Sequence, residues 1–157
     1  MKTEITLQVN GKARTFKSDP GTPLLYILRN YLYLNGPKYG CGLEQCGSCM
    51  VLLNGQAEPS CLIPVSAVKD KSVTTLEGLV SKDGTLHPVQ KAFIEEQAAQ
   101  CGFCLNGMVI SAVALLQKHN NPDEKRIRES MQRVLCRCGV QPRVIKAIQK
   151  AAKEYSP

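Results

Sequence analysis

The sequence predicts an α+β protein of two modules, a β-rich module over residues 1–77 and an all-α module over residues 78–157. Three observations lead to this prediction. Apolar and polar residues alternate before Asn10-Gly11, and a second Asn-Gly step follows at Asn54-Gly55, which is typical of β-hairpins. Helical periodicity replaces this alternation after Gly78, where the segment SKDGTLHP carries loop-forming residues. Each half also holds four of the eight cysteines, and modules this small often need a metal centre or disulfides for stability.

The first module begins with a predicted hairpin followed by a helix. Alternating residues lead into Asn10-Gly11, a strong hairpin turn signal. Thr22 is expected to cap the helix, with Pro23 at its first position, because proline is favoured there. Apolar residues then recur along one helical face, and the helix is expected to end before Gly36.

A second hairpin and a last strand complete the predicted first module. Asn54-Gly55 marks the turn of this hairpin, and Cys61 lies on its return arm. The segment KSVTTLEG, residues 71–78, supplies a short strand. The first module is therefore expected to be a small sheet wrapped about one helix.

Four helical stretches make up the predicted second module. Asn121-Pro122 separates the second from the third and leaves Asp123 as the N-cap of the third. The second stretch is apolar over most of its circumference, so it should be the most buried. The stretches are residues 88–100, 105–119, 123–135 and 142–155.

The first cysteine quartet predicts a [2Fe-2S] cluster. Its members, Cys41, Cys46, Cys49 and Cys61, follow the C-x4-C-x2-C…C spacing of plant-type ferredoxins. Glycines flank the ligands, which suits close approach of the loop backbone to an anionic core. A structural zinc site is the alternative, but tetrahedral zinc is usually held by two short cysteine pairs.

The second quartet leaves two kinds of site open when its spacing is taken alone. Its members are Cys101, Cys104, Cys136 and Cys138, two short pairs that suit a four-cysteine zinc site as well as a cluster. The surroundings favour a cluster. Cys104 opens the apolar helix, whose N-terminus stabilises negative charge, and Arg137 lies between two ligands.

Charge and histidine content point to no other function. The formal net charge of +7 falls to about +3 if each quartet holds an oxidised cluster of charge −2. Nine basic residues face one acid, Glu129, between Lys125 and Lys153, but no interleaved aromatics or nucleic-acid motif accompany them. We expect a solvated surface that offsets cluster charge or meets an acidic partner, and no nucleic acid. His87 and His119 lie beside loops, where a capping or solvent-exposed role is expected.

Localisation is expected to be cytoplasmic. The N-terminal segment has no apolar signal region and no twin arginine, and no apolar run is long enough to cross a bilayer. Direct membrane insertion is not expected, although partners could hold the protein at a membrane. In a reducing compartment, cysteine clusters bind metal more often than they form disulfides.

Five motifs in order resemble the small iron-sulfur subunit of molybdenum hydroxylases, the xanthine dehydrogenase and aldehyde oxidoreductase superfamily. They are GCGLEQCGSCMVLLNG, SCLIPVSAV, TTLEGL, QCGFCLNGM and LCRC, and together they span the chain. Within the family, LNGPKYGCG and CGFCLNGM are most similar to small subunits of bacterial nicotinate dehydrogenase and isoquinoline oxidoreductase.

The resemblance implies a fold, cofactors and partners. It implies an N-terminal β-grasp ferredoxin domain and a C-terminal four-helix domain, each with one [2Fe-2S] cluster. A separate large subunit would bind molybdenum through a molybdopterin, of the cytosine dinucleotide type, and Gln100 would hydrogen-bond this pterin. Electrons from a substrate such as nicotinate would pass through the C-terminal and then the N-terminal cluster to a flavin subunit, a cytochrome or another carrier. The catalytic residues would lie on the large subunit.

Some residues depart from the family pattern, and other functions stay open beside it. Glu44 and Gln45 replace small residues, which is expected to change the bend of the loop or the charge near the first cluster. Val134 replaces an asparagine, and residues 139–141 replace Thr-Gly-Tyr, which affects expected pterin-side contacts and cluster potentials. The alternatives are a subunit of an aldehyde or purine oxidoreductase, a free-standing ferredoxin and a zinc-stabilised basic interaction protein.

Overall fold

A mixed five-stranded sheet forms the N-terminal half of the computed structural model, which describes residues 1–155; residues 156–157 of the second predicted module lie outside it. The strand order is β2-β1-β5-β3-β4, with β1 parallel to β5 and the other neighbours antiparallel. The strands are β1 Thr3–Val9, β2 Lys12–Ser18, β3 Met50–Leu53, β4 Gln56–Pro59 and β5 Ser72–Thr74.

Both predicted hairpins are confirmed. Asn10-Gly11 joins β1 to β2, and Asn54-Gly55 joins β3 to β4. All four turn residues have positive φ, between 49° and 81°, as the tight turns that match strand twist require. The predicted last strand is β5, and its parallel pairing with β1 places the end of the N-terminal half in the middle of the sheet.

The predicted first helix is present, but Thr22 does not cap it. Helix α1 is the single turn Leu24–Tyr26, which continues as a π-helical turn over Ile27–Tyr31. The residue at the N-cap position is Pro23, and the Thr22 hydroxyl accepts a hydrogen bond from Ser18 instead. Backbone carbonyls of the segment after β4 accept from the free N–H groups of Leu24 and Leu25, so no side-chain cap is needed.

Four helices form the C-terminal half, as predicted: α2 Pro88–Glu95, α3 Leu105–Lys118, α4 Glu124–Met131 and α5 Gln141–Glu154. The predicted caps at Asp123 and His87 are confirmed, since their side chains accept from Arg126 N–H and Val89 N–H. Helices α2 and α4 end several residues earlier than predicted. Gln97 adopts a positive φ of 49° after α2, and Leu135 N–H bonds to Cys46 O beyond α4.

Strand β3 packs against both hydrophobic cores. Its alternate side chains point to opposite faces, so Val51 and Leu53 join the core under α1 while Met50 and Leu52 join the core around α3. Helix α3 is buried from Asn106 to Leu116, which confirms the predicted central helix. No helix within residues 1–155 has both the length and the apolar character needed to span a bilayer.

Candidate metal centres

The first quartet lies where β3 begins and β4 ends, and its thiols form two pairs. Cys41 and Cys46 belong to the loop before β3, and the Cys41 N–H donates to Cys46 Sγ at 3.4 Å. Cys49 precedes β3 and Cys61 follows β4, and these two pack together in a buried cluster with Leu25. Within residues 1–155, no group of three or more His, Cys, Asp or Glu side chains is placed to hold a single metal ion. A [2Fe-2S] cluster uses two thiolates on each of two irons.

Cys41 and Cys46 form the outer, half-buried pair, and Cys49 and Cys61 form the inner, buried pair. Backbone N–H groups converge on Cys41 of the outer pair. Those of Leu43, Gln45 and Cys46 all donate to Cys41 Sγ, at 3.3, 3.3 and 3.4 Å. Burial opposes ionisation of Cys41, but these donors outweigh it and lower its pKa to about 7. The loop therefore favours the thiolate form that binds metal.

The inner pair has the opposite electrostatic environment. Burial, reinforced by the neighbouring Cys61 thiol, raises the pKa of Cys49 to about 11. Such a thiol ionises only when a cation replaces its proton, so metal binding and proton release are coupled here.

Glycines in the first loop leave room for sulfur. A Cβ at Gly40 would lie 2.7 Å from Cys46 Sγ, and Gly42 has a φ of 67°. The missing side chain therefore allows the close approach at Gly40, and the conformational freedom of glycine allows the left-handed backbone at Gly42. The thiol pairs, the converging N–H donors and this close approach fit a [2Fe-2S] cluster.

The second quartet lines one small cavity between the helices. Cys101 and Cys104 lie between α2 and α3, while Cys136 and Cys138 lie between α4 and α5, and Gln100 shares the same cavity. The thiols again interact in pairs, Cys101 with Cys138 and Cys104 with Cys136. Cys101 is exposed and Cys104 is buried, so this site also has an outer and an inner side.

The pKa shifts at the second quartet divide within each thiol pair and not between the pairs, since the pKa is lowered at Cys101 and Cys136 and raised at Cys104 and Cys138. Burial and the Cys136 thiol raise the pKa of Cys104 to about 12, although Cys104 occupies the N-cap position of α3 as predicted. Phe103 N–H is the main cause that lowers the pKa of Cys101. Burial opposes ionisation of Cys136, but hydrogen bonds led by Val140 N–H lower its pKa. The sequence did not reveal this turn before α5 as a source of donors.

Direct contacts join the two quartets. The Leu135 N–H donates to Cys46 O at 3.0 Å, which links the residue before Cys136 to a cysteine of the other quartet. A Cβ at Gly107 would lie 2.2 Å from Gly47 O, so the first turn of α3 sits directly on the first cysteine loop. Val134, one of the departures from the family pattern, is buried against both of these glycines.

The remaining candidate residues are on the surface. Gln100 is exposed beside Cys101, and Arg137 is exposed between its two cysteines. His87 caps α2, which confirms the capping role expected for it, while His119 is half-buried and not solvent-exposed, with its Nε2 2.9 Å from Arg126 Nη1 at the end of α3. Ion pairs hold several of the basic side chains, such as Lys150 with Glu95 at 2.9 Å, as expected for a solvated surface.

Two family models divide the chain between them. The model for a 2Fe-2S iron-sulfur cluster binding domain matches residues 7–76, and that for a [2Fe-2S] binding domain matches residues 75–149. One of the subunits of nicotinate dehydrogenase from Pseudomonas putida is 52% identical over 98% of this chain and 97% of its own. The chain belongs to the iron-sulfur subunits of the molybdenum hydroxylases.

Other members of the family agree in sequence and fold. The alpha chain of isoquinoline 1-oxidoreductase from Brevundimonas diminuta is 46% identical over 93% of this chain and 95% of its own. The structure of quinoline 2-oxidoreductase from Pseudomonas putida 86 superimposes with a TM-score of 0.92 at 36% identity, covering 98% of this chain and 94% of that one. The predicted order of a ferredoxin-like domain followed by a helical domain is confirmed.

Membership in the family establishes the general role of this iron-sulfur subunit. It carries two [2Fe-2S] domains and transfers electrons within an oxidoreductase. Its partner is a large subunit that binds the molybdopterin.

Proposed function

We propose that the two cysteine quartets are the ligands of the two clusters, and that the domains meet between residues 77 and 78. Cys41, Cys46, Cys49 and Cys61 would hold one cluster, and Cys101, Cys104, Cys136 and Cys138 the other. The arrangement of thiols in outer and inner pairs supports this assignment. When bound, the clusters supply the one-electron chemistry that carries electrons from the large subunit to an external acceptor.

The single observation that carries the proposed electron-transfer route is the hydrogen bond between the two sites. Leu135 N–H and Cys46 O connect the backbones of Cys136 and Cys46 through one short contact of 3.0 Å. Burial of Cys49, Cys61 and Cys104 shields both sites from water on their inner sides, and the N–H groups around Cys41 stabilise added negative charge. This polypeptide therefore transfers electrons, while the catalytic residues lie on the large subunit.

The second quartet is proposed to face the large subunit. Gln100 and Cys101 are exposed at this site, and Phe103 and Leu135 present 46% and 61% of their surfaces beside it. Exposed apolar side chains around a redox centre suit burial against a partner. Gln100 would then contact the pterin, of the cytosine dinucleotide type. The first quartet would face the acceptor, a flavin subunit or a cytochrome.

The proposed substrate is an N-heteroaromatic compound such as nicotinate. The names of the three relatives given above refer to N-heteroaromatic compounds: nicotinate, isoquinoline and quinoline. Each relative is similar to this protein over nearly the whole chain. The complex is proposed to work in the cytoplasm, and any attachment to a membrane would come through its partners.

The test is anaerobic reduction of the purified complex by candidate substrates. The iron-sulfur subunit is tagged and isolated with its large subunit, and cluster absorbance is followed after adding nicotinate, isoquinoline, benzaldehyde or hypoxanthine. We expect an N-heteroaromatic compound to bleach the absorbance fastest. Fastest bleaching by benzaldehyde or hypoxanthine would instead support an aldehyde or purine oxidoreductase and refute the proposed substrate class.

A further inference from the structure

Asn106 is a buried polar residue at the contact between the two domains. It follows Cys104 by two residues in the first turn of α3, and only 1% of its surface is exposed. Its Nδ2 donates to Ser48 O at 3.0 Å and to Met50 O at 2.9 Å. These carbonyls stand on either side of Cys49, so one amide holds the backbone around a ligand of the other quartet.

The Met50 carbonyl needs a donor from outside the sheet. Cys49 O accepts from Ser60 N–H and points toward β4, so the next carbonyl, that of Met50, points to the opposite side of β3. On that side β5 pairs only with Leu52 and Leu53. Asn106 therefore takes the place of a neighbouring strand, since a buried carbonyl without a partner is costly.

The energetic balance at Asn106 favours a positioning role over a packing role. Its Oδ1 is buried and finds no hydrogen-bond partner among residues 1–155. A buried acceptor without a partner destabilises the fold, whereas leucine would fill a similar volume without this cost. What the asparagine adds is a donor for the Ser48 and Met50 carbonyls, which flank Cys49 in the chain.

We infer that Asn106 is a positioning residue for electron transfer between the two clusters. It fixes the Cys49 segment of the first site against the helical turn that follows Cys104 of the second. This inference rests on the proposed ligand assignment. Removing the two donors should disturb the first cluster and the transfer to it, and should leave the second cluster able to accept electrons from the large subunit.

The test uses N106L in the intact complex, with E58Q as a matched control. E58Q removes another contact between the domains, the exposed 3.6 Å ion pair of Glu58 with Arg133, and leaves the bonds from Asn106 to the Ser48 and Met50 carbonyls in place. For N106L we expect a full iron content, a shifted EPR signal and midpoint potential for one cluster only, and slower reduction of that cluster after rapid mixing with substrate. E58Q should match the wild type. N106A, which needs less space, replaces N106L if the latter does not load iron.

Two outcomes would overturn the positioning role. The first is an N106L or N106A complex with wild-type signals, potentials and reduction rates at both clusters. The second is loss of both signals together in N106L and N106A, since a residue needed only for folding gives that result. A wild-type complex that contains zinc in place of iron would refute the ligand assignment itself, so metal content is measured before the variants are compared.

Discussion

Glu44 adopts a left-handed backbone conformation in the loop that carries Cys41 and Cys46. Its φ is 58°, a region that costs a residue with a side chain about 1 kcal/mol relative to glycine. Glutamate stands here in place of the small residue of the family pattern, and its backbone occupies the region that suits glycine. The loop therefore holds Glu44 in this conformation at a local cost in stability.

E44G is expected to stabilise the iron-loaded complex. Relief of the left-handed strain should raise the free energy of unfolding by about 0.5–1 kcal/mol, or the melting temperature by roughly 1–4 °C for a chain of this size. Gln45, next to it, has no positive φ, so Q45G should lower the melting temperature instead. Thermal unfolding of the two variants checks this, and equal destabilisation by both would contradict the strain at Glu44.

G107A is expected to weaken the contact between the domains. An added Cβ would lie 2.2 Å from Gly47 O, a backbone atom that cannot move without shifting the first cysteine loop. Overpacking of this kind costs about 1–3 kcal/mol, which should appear as a lower melting temperature. Q117A, at an exposed position of the same helix, serves as the control. A melting temperature for G107A equal to that of Q117A would show that the loop yields easily.

At the scale of elements, the sequence predicted where helices start better than where they end. The His87 and Asp123 caps are local features, so the residue types alone locate them. The ends of α2 and α4 depend on distant groups: Arg143 binds Gln97 O at 3.2 Å, and Cys46 O holds Leu135. The apolar periodicity of the sequence continues past the ends of both helices. It shows which residues are apolar, but not which backbone groups form hydrogen bonds with distant parts of the chain.

His87 should make the stability of α2 depend on pH. Its Nδ1 accepts from Val89 N–H, and burial lowers the pKa of His87 below its ordinary 6.5. The unfolded chain therefore binds a proton near pH 6.5 while the folded cap resists it, so stability falls as the pH drops below about 6.5. Loss of a cap costs about 1 kcal/mol, or roughly 2–4 °C in melting temperature.

The variant H87N isolates this effect, since asparagine can cap a helix and does not titrate. Melting temperatures are measured for both proteins between pH 7.5 and 5.5. The wild type should lose more than H87N over this range, and parallel curves would show that His87 does not contribute.

At the scale of the whole molecule, the sequence predicted the candidate ligands but not the contacts between the two quartets. Cys41, Cys46 and Cys49 lie in one motif, so their spacing carries the information. The bond from Leu135 to Cys46 joins residues far apart in the chain and uses only backbone atoms, which any residue except proline supplies. Asn106 did leave a signal, as a polar residue in the first turn of a helix that is mostly apolar.

C104S is expected to affect one cluster and not the other. Cys104 belongs to the inner pair of the second quartet, so serine should remove one of two EPR signals from the dithionite-reduced complex. Reduction of the remaining cluster by substrate should also stop if the second site faces the large subunit. Persistence of both signals would refute Cys104 as a ligand.

The central claim is that each quartet holds two irons, and metal and sulfide analysis of the anaerobically purified protein tests it most directly. Two [2Fe-2S] clusters predict about four irons and about four acid-labile sulfides for each chain, with reddish-brown absorbance that dithionite bleaches. One or two zinc ions for each chain, with no labile sulfide and no visible absorbance, would contradict it.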